Sequence, residues 1–301
     1  MKRININGPR LYASIEELGA IGAYTDKQTG LVGVCRLALS DEDRQARDLV
    51  RSWMLELGLS VDIDTIGNIY ARREGTSPEL APVLVGSHTD SVPTGGRFDG
   101  ALGVLGALEI IRTLNEHKIE TRRPIVVCDF TDEEGCRFGT DMLGSAVATG
   151  RLALDHACAL TDKDGICVGD ELRRIGYRGE MNVNSLRPHA YVECHVEQGP
   201  TLIREGFDIG IVTKVQAIAW YALSFTGRAA HAGATPTAYR ADAGLAAARI
   251  NVKLREMVES GIYGEMRATM GVIRPEPDMV NVIPGRVLAT MDLRNPDDDA
   301  M

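Results

Sequence analysis

The sequence predicts an α/β protein, with a mostly parallel sheet flanked by helices over residues 1–211 and a smaller α+β domain over residues 212–301. Three observations predict it. VLVGS at 83–87 and IVVCDF at 125–130 are apolar runs of strand length, and the stretch between them, ALGVLGALEIIRTLNEHK, has helical spacing. Strand, helix, strand in that order calls for parallel pairing. Each apolar run also gives way at once to a polar, glycine-containing loop, as strands of such sheets do at their ligand-binding ends. Near residue 210 the texture changes to alternating and amphipathic segments.

Taken in order, Ser40 opens a helix with Asp43 at the capping-box position. Ala46, Leu49, Val50, Trp53, Met54 and Leu57 recur at helical intervals, and Gly58 ends it. The next helix, after the first apolar strand, presents Leu102, Leu105, Leu108 and Ile111 on one face. IVVCDF is a second buried strand, and AYVEC at 190–194 is expected to be a third. In the smaller domain VQAIAWYALSFTG reads as a strand, DAGLAAARINVKLREMV as an amphipathic helix, and RATMGVI and RVLATMDLR as two more strands. The order is βαββ. Asn295, Pro296 and Asp297 to Asp299 then look like the cap, proline and first-turn acids of another helix. Both domains are therefore expected to be incomplete at the C-terminus.

Composition narrows the function classes. The formal net charge is −9 with no basic block, which argues against a nucleic-acid partner. No stretch approaches the apolar length of a membrane span, and the first residues lack the run of a signal peptide. The six cysteines form no CxxC pair, so a reduced, cytoplasmic protein is expected.

Chemistry concentrates in GSHTDSVPTGGRFDG at 86–100 and TDEEGCRFG at 131–139. His88 follows the first strand, Glu133 and Glu134 the second and His195 the third, so three loops can converge on one crevice. His88, Asp99, Glu134 and His195 supply two imidazoles and two carboxylates. That set suits Zn²⁺, Mn²⁺, Co²⁺ or Ni²⁺ better than Ca²⁺. Asp99 is a candidate bridge between two ions, with Gly95, Gly96 and Gly100 letting the backbone turn. Asp90 could accept the second ring proton of His88. Glu133 and Glu134 would divide the work, one holding metal while the other takes a proton from the attacking water. Cys194 and Cys136 read as packed thiols, and His117, His156 and His189 as residues without a site role. His231, on a glycine-flanked turn in the smaller domain, could donate to a developing oxyanion.

With these residues in view, the chain resembles the M20 superfamily of metal-dependent amidohydrolases. Within it, the chain is most similar to the hydantoinase/carbamoylase branch of N-carbamoyl-L-amino acid hydrolase, allantoate amidohydrolase and β-ureidopropionase. GSHTDSVPTGGRFDG, FTDEEGCRFG, HVEQGP, GRAAHAGATP and NVIPG followed by MDLR carry the match in order along almost the whole chain. The resemblance implies a zinc-peptidase-like catalytic domain with an inserted lid and dimerisation domain, and a homodimer. It implies two divalent ions per complete subunit, one held by His88, Asp99 and His195 and one by Asp99 and Glu134. Glu133 would be the general base, and Asp90 the partner of His88. His231 would reach the neighbouring subunit's crevice, and Gln198, Asn281 and Arg294 would contact substrate, the arginine gripping a carboxylate. The implied reaction is hydrolysis of N-carbamoyl-L-amino acids to amino acid, carbon dioxide and ammonia. Allantoate is the alternative substrate. An inactive metal-binding fragment is the alternative state, because members of the branch run further and carry there a histidine ligand that none of the six here matches. Ala234, where the family usually has threonine, and Met279 are further departures.

Overall fold

In the computed structural model, which describes residues 4–301, helices and strands alternate through a first unit that ends at Thr201. That boundary lies ahead of the expected change at residue 211. The unit comprises α1 (Gly8–Gly19), β1 (Ala23–Thr25), β2 (Val32–Val34), α2 (Asp41–Glu56), β3 (Ser60–Ile63), β4 (Ile69–Arg73) and β5 (Val83–His88). It continues with α3 (Ala101–Glu116), β6 (Ile125–Phe130), α4 (Leu143–Ala148), α5 (Leu154–Ala159), α6 (Val168–Ile175) and β7 (Ala190–Val192).

Five strands form one sheet in the order β3-β4-β6-β5-β7. β5 runs parallel to β6 and β7, while β3-β4-β6 pair antiparallel. The sheet is thus mixed, and its parallel part is the part that carries the functional loops. The reason lies between β3 and β4. Asp64 Oδ1 accepts the N–H groups of Ile66 and Asn68 at 3.1 and 2.9 Å, a local turn that leaves no chain for a crossover.

Alternation along the strands builds two apolar layers. Ile69, Ala71 and Val127 face the main core with Leu105, Leu108 and Ile111 of α3. Tyr70, Leu84, Val126 and Cys128 face the other side. Each fully buried leucine of α3 contributes about 1.5–3 kcal/mol through its burial. β7 departs from expectation. It pairs with β5 as an edge strand, with Tyr191 and Val192 exposed rather than buried.

α2 starts where its sequence says, with Ser40 Oγ accepting the Asp43 N–H at 3.2 Å. Asp43 does not return the bond to Ser40. Its Oδ2 accepts from Leu39 N and from Arg47 Nε, each at 2.8 Å. Both members of this ion pair are fully buried, so removing either one alone would cost about 3–5 kcal/mol.

The second unit, from Leu202 onward, is described by itself. α7 (Thr201–Glu205) leads to β8 (Ala217–Thr226), β9 (Ala230–His231), α8 (Ala243–Glu259), β10 (Arg267–Thr269), β11 (Ile273–Glu276), β12 (Val282–Ile283) and β13 (Arg286–Asn295). β13 pairs antiparallel along its whole length with β8, and its other edge takes β11 and β10. Ala243 and Ala247 of α8 pack on Val287 of this sheet. The expected βαββ order holds, with RATMGVI broken into two strands and a two-residue β9–β12 ladder added. After β13, Asn295 Oδ1 accepts the Asp297 N–H at 2.9 Å, and Asp297 Oδ1 accepts the N–H groups of Asp299 and Ala300 at 2.9 Å, so both cap a turn rather than a helix. Asn295 is buried and donates to Tyr263 O. Among the described residues no helix is long and apolar enough to cross a membrane.

Candidate metal centre

His88 ends β5, so the strand fixes its backbone and turns its ring into the crevice at the carboxyl end of the sheet. The ring is almost wholly buried. Its Nδ1 lies 3.0 Å from the carbonyl oxygen of Asp90 and 3.6 Å from Asp90 Oδ1. The nearer partner is therefore the backbone carbonyl, not the carboxylate expected from sequence. Nδ1–H donation to that oxygen leaves the Nε2 lone pair as the ligand.

The Asp90 carboxylate has a different main task. Its Oδ1 accepts the Glu133 N–H and its Oδ2 the Glu134 N–H, both at 3.2 Å. One carboxylate beneath the crevice thus holds the loops after β5 and β6 in register. These bonds and the facing His88 ring overcome the penalty of burial and keep Asp90 below the usual carboxylate range.

Asp99 comes in on the loop after β5, and Gly100 behind it adopts φ +61°. A side chain at Gly100 would place its Cβ 2.4 Å from His88 Nε2, so only glycine lets the two ligands approach. Gly95 and Gly96 have no left-handed backbone, and a Cβ at Gly96 would meet open space. Left-handed backbone is thus needed at one of the three glycines, while a Cβ at Gly95 would crowd Ser91 Cβ at 3.1 Å. His195 completes the cluster: its Nε2 is 3.2 Å from Asp99 Oδ1, and its Nδ1 lies 2.8 Å from Val196 O. One ligand atom each from His88, Asp99 and His195 lie within 4.8 Å of one another.

The surroundings show how short of positive charge this cluster is. Burial lowers the His88 imidazole, but Asp90, Glu133 and Glu134 outweigh it and push it up to about 10. The bond to Asp99 raises His195 to about 8. Burial and the facing Asp99 raise Glu134 to about 7, and burial likewise raises Glu133. Glu134 Oε1 is buried with no hydrogen-bond partner. An orphaned carboxylate oxygen beside two imidazoles and a second carboxylate fits a bound divalent cation, with the N/O donors that Zn²⁺ and its neighbours take. Glu133 Oε2 stands 3.3 Å from His88 Nε2. Glu133 thus reaches His88 while Glu134 Oε1 is left unpartnered, on a loop that bends, with Asp132 at φ +50°, rather than the extended segment expected.

A model of peptidase family M20/M25/M40 matches residues 84–292, the stretch from the site-bearing strand β5 into β13. The chain belongs to this family. It is 43% identical over 296 residues to the N-carbamoyl-L-amino-acid amidohydrolase of Rhizobium meliloti, covering 97% of this chain and 69% of that one. It is 36% identical to a ureidoglycolate hydrolase of Oryza sativa subsp. japonica, covering 97% of this chain and 61% of that relative. A crystal structure of a hydantoinase/carbamoylase-family amidase from Burkholderia vietnamiensis matches with TM-score 0.90 at 45% identity, covering 100% of this chain and 71% of that one.

In this M20 chain Gln198 joins the candidate cluster directly, its Nε2 donating to Asp99 Oδ2. Three further sequence-predicted residues belong to the second unit. His231 ends β9 and is exposed, with Nδ1 accepting the N–H groups of Gly233 and Ala234 at 3.0 and 3.1 Å. Asn281 precedes β12, and its carbonyl accepts the Ala232 N–H. Arg294 lies in β13 with its guanidinium on Asp292, Nη2 to Oδ2 at 2.9 Å.

Two acids beside the cluster escaped the sequence reading. Glu193 accepts from Tyr191 Oη at 2.6 Å and from Ser87 Oγ, and its charge adds to the rise of Glu133. Its position two residues before His195, the strand repeat, was the available signal. Asp132 is buried with neither oxygen partnered, and burial with Asp90 and Asp43 nearby pushes it up to about 8. Its neighbours in TDEEG drew attention away from it. Cys136 and Cys194 are exposed, not packed, because both sit on loops rather than inside strands. Partial desolvation and Glu134 nevertheless raise Cys136 to about 11, so it is a protonated thiol and a poor nucleophile at neutral pH.

Proposed function

We propose that the chain hydrolyses the ureido C–N bond of N-carbamoyl-L-amino acids, giving the amino acid, carbon dioxide and ammonia. The observation that carries this reading is the Glu133 carboxylate 3.3 Å from His88 Nε2, beside the cluster of His88, Asp99 and His195. The name of the Rhizobium relative supports the substrate class. Zn²⁺, or Mn²⁺, Co²⁺ or Ni²⁺, would supply Lewis acidity that polarises the ureido carbonyl and acidifies water. His88, Asp99 and His195 would hold one such ion, and Asp99 and Glu134 would be donors to a second. Glu133 Oε2 takes a proton from water as its oxygen bonds to the ureido carbon, then passes it to the departing nitrogen. The C–N bond breaks, and the carbamate that remains loses carbon dioxide. In a dimer, His231 Nε2–H of one subunit would donate to the carbonyl oxygen in the neighbouring subunit's crevice as negative charge develops there. Gln198 steadies Asp99, and Asn281 and Arg294 hold the polar groups and carboxylate of the substrate.

Ureidoglycolate is the second reading, favoured by the rice relative's name, and allantoate offers the same ureido and carboxylate groups. Ammonia release would be measured on a panel of N-carbamoyl-L-amino acids, ureidoglycolate, allantoate, β-ureidopropionate and dipeptides, with each divalent ion added. Turnover of N-carbamoyl-L-amino acids above the other ureido acids supports the proposal, and turnover of dipeptides alone overturns it. The second unit serves as the lid and as the dimerisation surface; β8 offers a sheet edge with Trp220 and Tyr221 half exposed, suited to a self-complementary pairing. A strictly monomeric mass by light scattering would contradict that part. A cytoplasmic setting is supported by six free cysteines, and cell fractionation tests it.

A further inference from the structure

His231 is held in an unusual way for an exposed histidine. Two backbone N–H groups, from Gly233 and Ala234, point at its Nδ1 at 3.0 and 3.1 Å. A nitrogen that accepts two donors cannot itself carry a proton without breaking both bonds. The ring proton is thereby confined to Nε2, which becomes a donor of fixed tautomer. The turn that aims those two N–H groups is short and exposed, and the β9–β12 ladder beside it spans two residues. Something else must hold it in shape.

Arg240 does so. Its Nη2 donates to Ala232 O at 2.6 Å and its Nε to Thr235 O at 2.9 Å. Those carbonyls bracket the two N–H groups on His231: Ala232 O belongs to the same peptide unit as the Gly233 N–H, and Thr235 is the residue after Ala234. Ala232 N is held in turn by Asn281 O at 3.0 Å, and Thr235 N by His231 O at 3.0 Å. A planar guanidinium with two donors in fixed relation can span both carbonyls at once, whereas an ammonium is a single point.

We infer that Arg240 is a positioning residue for His231: by clamping the 232–235 turn it fixes the imidazole as an Nε2–H donor, unable to serve as a base through Nδ1. The inference rests on the proposed role of His231 as a hydrogen-bond donor to substrate, but its test does not depend on turnover.

The test is nuclear magnetic resonance on the full 301-residue chain. Ring ¹⁵N shifts report the His231 tautomer, and amide exchange reports the Gly233 and Ala234 bonds. The wild-type chain is expected to show one tautomer, protonated at Nε2, with both amides slowed. In Arg240→Met the two amides should exchange about tenfold faster or more, the scale of losing a charge-assisted hydrogen bond, and the ring should populate both tautomers. Amides of β8 and β13 should hold. Arg240→Lys, which keeps charge and reach without the fork, should restore the signals in part. If Arg240→Met loosens β8 and β13 as well, Arg240→Lys decides by the same two signals. Unchanged tautomer and exchange in both variants would overturn the inference. Preserved signals with no effect of His231→Ala on ammonia release would instead refute the donor role and leave the clamp standing.

Discussion

Replacing Asp90 by asparagine keeps the side chain's size, removes its charge and turns one of its two acceptors into a donor. In the folded chain Oδ1 and Oδ2 each accept one backbone N–H, from Glu133 and Glu134 at 3.2 Å. An asparagine can accept only one of them, and its NH₂ group then faces the other N–H. The lost charge-assisted bond is worth about 1.5–3 kcal/mol, and His88 Nδ1 also loses the carboxylate 3.6 Å away. Glu134 is a proposed ligand and Asp90 O accepts from a second one, so part of this loss appears as weaker metal binding. Supporting groups of this kind change metal affinity by about 10–100-fold, or roughly 1.4–2.7 kcal/mol. The assay is competition against a chelator of known affinity, at fixed pH, on the purified chain. Melting of the metal-free protein reports separately on the fold. A variant that melts like the wild type and binds the ion within about twofold of it, far below that range, would refute the role assigned to Asp90.

Two further predictions follow from the same geometry. Glu133→Gln is expected to reduce turnover of the best ureido substrate by about 10²–10⁴-fold while the bound ion stays; loss of ion together with activity would mean that Glu133, not Glu134, is the ligand. The pH dependence has a definite sign. His88 at about 10 and His195 at about 8 bind protons more tightly in the metal-free fold than an ordinary histidine, so the ion must displace them. Affinity should rise with pH, releasing about two protons or more per ion below pH 8 and about one between 8 and 10. The stability that protonated His88 lends the metal-free chain is full below about 6.5 and is lost as pH rises through about 10. Calorimetric titration in buffers of different ionisation enthalpy measures the proton count, and affinity that falls with rising pH would contradict the assignment.

What the sequence made legible followed from period and length. α2, α3 and α8 each run 16 or 17 residues, long enough for the helical repeat to show, and β5, β6, β8 and β13 are apolar or alternating over 6 to 10. α4, α5 and α6 span only 6 to 8 residues, too short for a periodic signal, and the segment holding them was not resolved into elements. α1 was missed as well, although Asn7 caps it and Pro9 sits in its first turn. The clustered side chains of His88, Asp99 and His195 could be named because their loops follow strands of one sheet. Their supports could not. The partners of Asp90 are backbone N–H groups on another loop, and the turn beneath His231 is held through carbonyls; residue identity encodes neither. The exposure of β7, Cys136 and Cys194 depends on what lies alongside them, which no local pattern reports.

That His88, Asp99 and His195 grip a divalent ion is tested most directly by elemental analysis after extensive dialysis. The wild-type chain should retain at least one ion, since three donors including two imidazoles hold Zn²⁺ or its neighbours firmly. Asp99→Asn and His195→Ala should each lose it while melting as folded proteins in the metal-free state. A wild-type chain that dialyses free of metal, or variants that keep a full equivalent, would contradict the central claim.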